Sequence, residues 1–399
     1  MAGQNIKNNE LAKGIYWVGA IDWDIPASSG YTGTSYNAYL IIDEKITLVD
    51  GVKHSHRDQL FNHIKQIIDP ADIDYLIVNH VEPDHSSSLP EIMEAIKPEK
   101  LFCSEMGKRA IIAHYHRTDW PYQVVKTGTE LSLGSRSVQF IETRMLHWPD
   151  SMFSYLKEDG ILFSNDAFGQ HIATEERFDD ELEAGKAINA AEHFYATTLT
   201  LLSPLVQKLL KTMEKMELDL RLIAPDHGII WRQQQDEILE GYRRWSQQEQ
   251  HPEAIIVYDT KWKSTEMMAK AIAQGIEEEN VPARLMSLKE CHRGDIMQRL
   301  LTASTIVLGS ATINNAIMPS LASFLMYMKG LKPRKKIGAA FGSYGWGGEA
   351  VKQLNTMMDE MKIKRIDDGL RIKYVPHEEQ LKECVEYGRH IGRATKADK

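Results

Sequence analysis

The sequence contains few cysteines. Its 399 residues include only three, Cys103, Cys291 and Cys384, which lie far apart and form no C-x-x-C pair. Disulfide frameworks, iron–sulfur clusters and cysteine zinc sites all need more thiols at closer spacing. The count argues against these classes and indicates a reducing compartment, so we expect a cytoplasmic protein.

Long hydrophobic runs and an excess of positive charge are also absent. No apolar run approaches the ~20 residues needed to span a bilayer, and the opening MAGQNIKNNELAKG has no apolar signal core. The formal net charge is −9, whereas nucleic-acid binding requires a basic surface. We therefore expect neither a membrane nor a nucleic acid as partner.

The length predicts two or three domains, and the pattern of strands and helices changes near residue 250. Earlier residues mix hairpins with βα units, which indicates an α/β sandwich of two sheets with outer helices. Later residues alternate strands and helices, which indicates a doubly wound parallel sheet. The Gln/Glu-rich helix that leads to His251 and Pro252 separates the two patterns. We expect domains at residues 1–250 and 251–399.

The element predictions follow hydrophobic periodicity and turn residues. In the first part, strands are predicted at residues 14–22, 36–42, 45–51 and 75–78, and helices at 56–68, 89–96, 106–115 and within 171–217. In the second part, strands are predicted at residues 254–260, 284–288, 305–310, 336–343 and 372–375. Helices separate or follow these strands at residues 266–278, 295–303, 319–329, 349–361 and 378–391.

Four metal-type side chains follow the strand at residues 75–78. They are His80, Glu82, Asp84 and His85. Such a group is costly to bury without a partner, and a cation is the natural one. Imidazoles with carboxylates suit zinc, iron or manganese. The alternative is a solvated acidic loop that happens to contain histidines.

Three more candidate ligands stand near the ends of apolar strand patterns: His147, Asp166 and His227. A strand–loop boundary is where a rigid scaffold presents functional side chains. A lone histidine there is more often structural, but three such ends beside a dense motif favour one common site.

These residues resemble the metallo-β-lactamase fold with its binuclear site. Glu82 in place of a middle histidine, with the HWPDSM and NDAFGQH stretches, is similar to the flavodiiron proteins. The resemblance implies one iron held by His80, Glu82 and His147, and another held by Asp84, His85 and His227, with Asp166 bridging. Members of the family differ on whether the residue at His85 coordinates. A carboxylate in place of an imidazole favours iron over zinc.

Three loops in the second part are candidates for a flavin site. Residues 260–265 form a hydroxyl-dense turn before a helix, which suits a phosphate monoester, although a helix cap explains one hydroxyl. Together with the loops at 309–315 and 342–349, this turn resembles the FMN loops of flavodoxins. The resemblance implies these residues as FMN contacts: Thr260, Lys261, Trp262, Lys263, Ser264, Thr265, Ser310, Ala311, Thr312, Ile313, Asn314, Ser343, Tyr344, Gly345, Trp346 and Gly347.

The resemblance implies an oxidoreductase that reduces O2 to water, NO to N2O, or both. It implies a head-to-tail homodimer or a dimer of dimers, and rubredoxin or coenzyme F420H2 as external donor. Trp148 and Tyr195 are candidate residues beside the substrate pocket, although Tyr195 also suits a core position. Ser29 replaces a histidine common in the family, which leaves the preference for O2 or NO open.

Three further interpretations stay open. One is a zinc-dependent hydrolase with a flavodoxin module, and another is a non-catalytic flavin electron carrier. The third concerns Lys332, Arg334, Lys335 and Lys336, which are either a docking site for an acidic donor or a solvated loop.

Overall fold

The computed structural model describes residues 9–25 and 33–397. The loop from Pro26 to Tyr31, which contains Ser29, lies outside these residues. Contacts divide the chain into two compact units, Met1–Phe194 with Leu202–Arg243, and Tyr195–Leu201 with Arg244–Lys399. The domain boundary at residues 250 and 251 stays a prediction.

Two β-sheets build the first unit. A seven-stranded sheet has the order β1-β2-β5-β6-β7-β8-β9, a five-stranded sheet the order β10 to β14, and β3 pairs only with β4. The strands are β1 (Glu10–Ala12), β2 (Ile15–Trp17), β3 (Ala20–Asp22), β4 (Thr34–Tyr36), β5 (Tyr39–Ile41), β6 (Thr47–Val49), β7 (Tyr75–Ile77), β8 (Lys100–Ser104), β9 (Tyr122–Val125), β10 (Glu130–Ser132), β11 (Ser137–Glu142), β12 (Met152–Leu156), β13 (Ile161–Phe163) and β14 (Leu222–Ala224).

Neighbouring residues of β7 contribute to two different cores. Leu76 packs with Ile64 and Ile92 of the outer helices. Ile77 packs on the other face with Phe140 and Phe163 of the second sheet. This alternation follows from the two-residue period of a strand. It confirms the predicted sandwich of two sheets with helices outside.

The helices of the first unit match their predictions closely, with two differences. They are α1 (Arg57–Lys65), α2 (Pro83–Ser86), α3 (Leu89–Ile96), α4 (Glu105–Tyr115), α5 (Lys186–Phe194), α6 (Ser203–Lys215) and α7 (Gln235–Gln247), of which α7 continues into the second unit. The sequence predicted a loop where α2 lies. Residues 171–185, predicted within a helical segment, hold only a 3-10 turn at Asp179–Glu181.

The single strand predicted at residues 14–22 is divided in two. The chain leaves the large sheet after Trp17 and enters the β3–β4 pair at Ala20. Gly19 lies at this break, and a Cβ there would lie 2.3 Å from the carbonyl oxygen of Tyr36. Only glycine allows this close approach.

The second unit has the predicted doubly wound sheet. Its strands are parallel in the order β16-β15-β17-β18-β19, and β20 also pairs with β18. Its elements are β15 (His251–Asp259), α8 (Ser264–Glu278), β16 (Ala283–Ser287), α9 (Arg293–Thr302), β17 (Ala303–Ser310), α10 (Pro319–Leu331), β18 (Ile337–Tyr344), α11 (Glu349–Glu360), β19 (Lys364–Arg365), β20 (Leu370–Lys373) and α12 (Glu378–Ala397).

The strand order reverses beside β15, because β16 pairs with one edge of it and β17 with the other. In doubly wound sheets, ligands bind outside the carboxyl ends of the strands at such a point. Within the described ranges, no helix is long and apolar enough to cross a membrane.

Candidate metal centre and flavin site

Two hydrogen bonds fix Asn79 at the end of β7, directly before the metal-type residues. Asn79 donates from its backbone N to Asp50 Oδ1 over 2.6 Å and from Nδ2 to Asp50 Oδ2 over 2.7 Å. Pro83 then starts α2, where its missing N–H costs nothing. This single turn carries Asp84 and His85, so a short helix presents both side chains.

Four donor atoms form the first cluster. His147 Nε2 lies 2.8 Å from Asp166 Oδ2 and 3.0 Å from Glu82 Oε2. His80 Nε2 lies 3.3 Å from Glu82 Oε2 and 3.5 Å from Asp166 Oδ2. One ligand atom from each residue lies within 4.8 Å of all the others, so the group could hold a metal ion.

A second cluster adjoins the first. His227 Nε2 lies 3.3 Å from Asp84 Oδ2, and His85 Nε2 lies 3.6 Å from Asp84 Oδ1. Asp166 Oδ1 lies 3.0 Å from His85 Nε2 and 3.5 Å from His227 Nε2. The fold therefore brings together all seven residues that the sequence predicted as ligands, from four separate segments of the chain.

Asp166 faces both clusters through different oxygens. Its Oδ2 points to His80 and His147, and its Oδ1 points to His85 and His227. This is the arrangement of a carboxylate that bridges two metal ions, which in two-metal sites lie about 3.5–4 Å apart.

Acceptors beside the clusters fix the orientation of two histidines. His80 Nδ1 donates to Asp150 Oδ2 over 2.9 Å, and the backbone N of Val81 donates to the same oxygen over 2.8 Å. His227 Nδ1 donates to the carbonyl oxygen of Ser35 over 2.7 Å. With the proton on Nδ1, each Nε2 presents a lone pair to its cluster, as metal-bound histidines do.

The charges of the clusters depend on one another. Burial by itself lowers the pKa of His147, but hydrogen bonds to Asp166 and Glu82 raise it to about 9. Burial opposes ionisation of Glu82, yet the hydrogen bonds from His147 and His80 lower its pKa to about 2. In the metal-free chain, protonated imidazoles thus balance the carboxylates. Metal binding would replace these protons.

The donor set fits a pair of divalent cations. Ligand atoms about 2.0–2.3 Å from one ion lie roughly 3 Å from each other, which matches the distances above. Asp84 Oδ1, His85 Nε2 and Asp166 Oδ1 are buried and make no hydrogen bond to any residue that the structure describes, so lone pairs are left for an ion. Three carboxylates with neutral imidazoles leave the site short of positive charge, which two divalent ions supply.

Sequence reasoning missed three residues around the clusters. Asp150 orients His80, and Asp226 is buried with its Oδ2 3.8 Å from His85 Nδ1. His171 Nδ1 lies 2.8 Å from Thr34 Oγ1, and its ring centroid lies 4.5 Å from that of His227. Burial and the nearby His227 lower the pKa of His171 to about 3. Asp150 and His171 lie within the two stretches that carried the resemblance, and Asp226 adjoins His227.

The two candidate pocket residues occupy different places. The ring of Trp148 stands edge-on to His80 at a centroid distance of 5.4 Å. Tyr195 is completely buried, groups with the second unit, and lies 5.6 Å from the ring of Trp245. Trp148 therefore borders the first cluster, whereas Tyr195 has the position of a core residue.

The first flavin loop connects β15 to α8. Thr260 Oγ1 is buried without a hydrogen-bond partner, and Lys263 takes a positive φ of 69° just before α8 begins at Ser264. Both features suit an anion at the start of this helix, where backbone N–H groups are free to donate. The loop thus fits a phosphate group, and Thr260 offers it a hydroxyl.

The other two loops lie beside the first, since β17 and β18 follow β15 in the sheet. Ser343 joins all three loops, because its Oγ lies 2.9 Å from Thr265 Oγ1 and its carbonyl accepts from the N of Thr312 over 2.9 Å. Trp262 and Trp346 are 81% and 85% exposed, which leaves their faces open to a flat ring.

Asp259 is a further residue that the sequence did not single out. Its carboxylate accepts from the N of Thr260 over 2.7 Å and from the hydroxyl of Ser320 at the start of α10. Asp259 therefore connects the first flavin loop to Ser320, which lies in the segment after the second flavin loop.

The basic loop at Lys332–Lys336 was a candidate docking site for an acidic donor, and the structure corrects this for Lys336. Lys336 is only 4% exposed, and its Nζ donates to the carbonyl of Ala303 over 2.6 Å. The loop also precedes β18, whose eight residues span about 26 Å, whereas the flavin loop follows it. Lys336 is thus unavailable to a partner, whereas Lys332, Arg334 and Lys335 are exposed, and a docking role for these three stays a prediction.

Two family models match the two parts of the chain that carry these sites. The family model "ODP family beta lactamase" matches residues 34–228, and the flavodoxin model matches residues 256–388. The fold and the clusters therefore define a metallo-β-lactamase-like metal domain joined to a flavodoxin domain.

Similar proteins extend over nearly the whole chain. A nitric oxide reductase of Moorella thermoacetica is 45% identical, covering 96% of this chain and 97% of that protein. The solved rubredoxin oxygen:oxidoreductase of Desulfovibrio gigas is 41% identical with a TM-score of 0.94, covering 98% of each chain. A flavodiiron protein of Giardia intestinalis is 30% identical, also with a TM-score of 0.94, covering 99% of this chain and 98% of that one. The chain belongs to the flavodiiron protein family.

Proposed function

We propose that this flavodiiron protein reduces O2 to water, or nitric oxide to nitrous oxide and water, at a non-haem diiron centre supplied with electrons by FMN. The observation that carries the proposal is the pair of clusters that share Asp166. A flavodoxin domain in the same chain provides a source of electrons. Relatives named nitric oxide reductase and rubredoxin-oxygen oxidoreductase carry out reactions of this class.

We assign the ligands by cluster. His80, Glu82 and His147 would hold one iron, Asp84, His85 and His227 would hold the other, and Asp166 would bridge them. When bound, the iron pair activates the diatomic substrate and FMN supplies its electrons. The chain fixes the geometry, because Asp150 and the Ser35 carbonyl orient two of the imidazoles. The side chains of Glu82 and Asp84 are 33% and 28% exposed, which leaves one side of the centre open to substrate.

The flavin assignment rests on the three neighbouring loops. Thr260, Ser264 and Thr265 bind the FMN phosphate, helped by the positive charges of Lys261 and Lys263. The loops around Thr312 and Tyr344 hold the ring, with Trp262 and Trp346 beside it. The remaining predicted contacts are Ser310, Ala311, Ile313, Asn314, Ser343, Gly345 and Gly347. The serine, alanine and glycine residues among them are small enough to allow close backbone approach.

We further propose a head-to-tail homodimer, alone or paired as a dimer of dimers, in which the FMN of one subunit lies against the iron centre of its partner. The exposed Trp346 and the open side of the iron centre support this arrangement. Rubredoxin is the donor that the name of one relative suggests, and coenzyme F420H2 is the alternative. A cytoplasmic location agrees with three free thiols.

Metal analysis combined with turnover tests the function. The protein loaded anaerobically with iron and FMN should consume O2 or NO when reduced rubredoxin is supplied. Asp166→Ala should abolish consumption, while Asp119→Ala, which removes an exposed carboxylate, should leave it unchanged. Consumption that survives Asp166→Ala favours the electron-carrier interpretation. Zinc without iron, together with hydrolysis and no gas uptake, favours the hydrolase.

A further inference from the structure

Tyr36 is a buried tyrosine beside the second cluster. Its ring meets the ring of His227 edge-on at a centroid distance of 6.0 Å, and the side chain is only 4% exposed. Its hydroxyl donates to Asp22 Oδ2 over 2.8 Å. The proposed function so far uses neither residue.

Asp22 is the carboxylate that would accept the phenolic proton of Tyr36. It is 6% exposed, and burial by itself would raise its pKa. The hydrogen bonds from Tyr36 and from the N of Asp24, with the nearby His56 and Lys53, lower the pKa instead. Lys53 Nζ lies 3.5 Å from Asp22 Oδ2 and 3.4 Å from the Tyr36 hydroxyl oxygen. Because Lys53 only donates, the phenolic proton must point to Asp22.

Tyr39 shows what distinguishes Tyr36. It is also buried, but its hydroxyl donates to the carbonyl oxygen of Pro225 over 2.6 Å. A backbone carbonyl cannot take up a proton at neutral pH, whereas a carboxylate can. An oxidised phenol is a strong acid, so only a tyrosine with a proton acceptor is oxidised readily. Tyr36 has such an acceptor, and Tyr39 does not.

We propose that Tyr36 is a redox-active residue that gives one electron to the metal centre during O2 reduction while its phenolic proton passes to Asp22. This rests on the proposed function, in which O2 is the oxidant. The O–H bond of Tyr36 breaks and an O–H bond to Asp22 Oδ2 forms. Tyr36 becomes a neutral radical, and O2 gains the electron.

The supply of electrons explains the need for such a residue. Reduction of O2 to water takes four electrons, of which the iron pair and the reduced flavin each provide two. A subunit that meets O2 while its flavin holds only one electron is one electron short of this total. Tyr36 then supplies an electron from a position in contact with a metal ligand, and oxidation is directed to one side chain.

Electron paramagnetic resonance tests this directly. The iron- and FMN-loaded protein, reduced with three electron equivalents per chain, is mixed with O2 and frozen within milliseconds. We expect a tyrosyl radical, which is recognised because ring-deuterated tyrosine narrows its signal and leaves any flavin radical unchanged. O2 consumption is followed in the same sample. If neither O2 nor, in a parallel sample, NO is consumed, the proposed function fails. If NO alone is consumed, or if O2 is consumed without a tyrosyl signal, this inference fails and the proposed function stands.

Three variants identify the residue. Tyr36→Phe should abolish the tyrosyl signal, and Tyr39→Phe should leave it as in the wild type. Asp22→Asn should slow radical formation about a hundredfold, the lower end of what a positioned base contributes. Iron and FMN content is measured for each variant, so that loss of the cofactors is not read as loss of the radical. A tyrosyl signal that persists in Tyr36→Phe overturns the proposal.

Discussion

Glu82 illustrates how one side chain directs metal choice. It contributes a carboxylate oxygen 3.0 Å from His147 Nε2 and 3.3 Å from His80 Nε2. Its low pKa keeps that oxygen ionised at neutral pH. A hard anionic ligand at this position favours iron over zinc more than an imidazole would.

Glu82→His should therefore shift the metal content from iron to zinc. We expect the iron-to-zinc ratio of the purified protein to fall about tenfold or more, in line with the effect of a ligand change on affinity. Elemental analysis of wild type and variant grown in one medium checks this. An unchanged ratio would show that Glu82 does not control the metal.

Asp150 acts on the first cluster through His80. Asp150→Asn removes the charged acceptor of the Nδ1 proton, so the tautomer that presents Nε2 loses its stabilisation. We expect iron affinity to fall about 10- to 100-fold, measured by competition with a chelator. Asp119→Asn, at the surface, serves as the control. Equal affinities in the two variants would contradict the orienting role of Asp150.

At the scale of the elements, Gly228 allows the backbone conformation of the loop that carries His227. Gly228 has a φ of +80°, and a Cβ there would lie 2.1 Å from Gln170 Oε1. Gly228→Ala should destabilise the protein by about 2–4 kcal/mol, since strain and steric overlap add, and should lower iron binding. Gly128→Ala is the matched control, because Gly128 has a φ of +86° but nothing within 4 Å. Similar unfolding midpoints for both would exclude the contact with Gln170 as the cause.

Substitutions of Thr260 and Thr265 distinguish an effect on FMN binding from an effect on protein stability. Among the described residues, Thr260 Oγ1 has no hydrogen-bond partner, whereas Thr265 Oγ1 bonds to Ser343. Thr260→Val should weaken FMN binding about tenfold, the value of one hydrogen bond to a charged group, without destabilising the flavin-free protein. Thr265→Val should reduce both. Fluorescence titration with FMN and thermal unfolding measure the two effects, and unaltered FMN affinity in Thr260→Val would refute the assignment.

The sequence predicted the elements more reliably than the contacts between them. Strands such as β15 and β17 follow from continuous apolar runs, and all seven predicted metal ligands converge. The helix α2 was missed because a four-residue turn has no periodicity to detect. Asp150 and Tyr36 were missed because their roles depend on partners about 70 and 14 residues away, which no local pattern shows.

At the scale of the whole molecule, the metal-free and metal-bound proteins should respond differently to pH. The pKa values of His85 and His147 are raised to about 9 from 6.5. Their contribution to stability is therefore complete below pH 6.5 and is lost as the pH rises through 9. Glu82, lowered from 4.5 to about 2, contributes above pH 4.5 and loses its effect as the pH falls through 2.

The chelator-treated protein should accordingly show a falling unfolding temperature from pH 6.5 to above pH 9. The iron-loaded protein should not show this fall, because the metal replaces the protons on the imidazoles. Calorimetry of both forms across this range makes the comparison. A metal-free protein that gains stability at high pH would contradict the charge balance described for the clusters.

The central claim is that two metal clusters and a flavin site together form a diatomic-gas reductase. The most direct measurement combines iron, zinc and FMN analysis with O2 and NO consumption by one preparation supplied with reduced rubredoxin. The account predicts two irons and one FMN per chain, with consumption of O2, NO or both. Zinc in place of iron, with neither gas consumed, would contradict it.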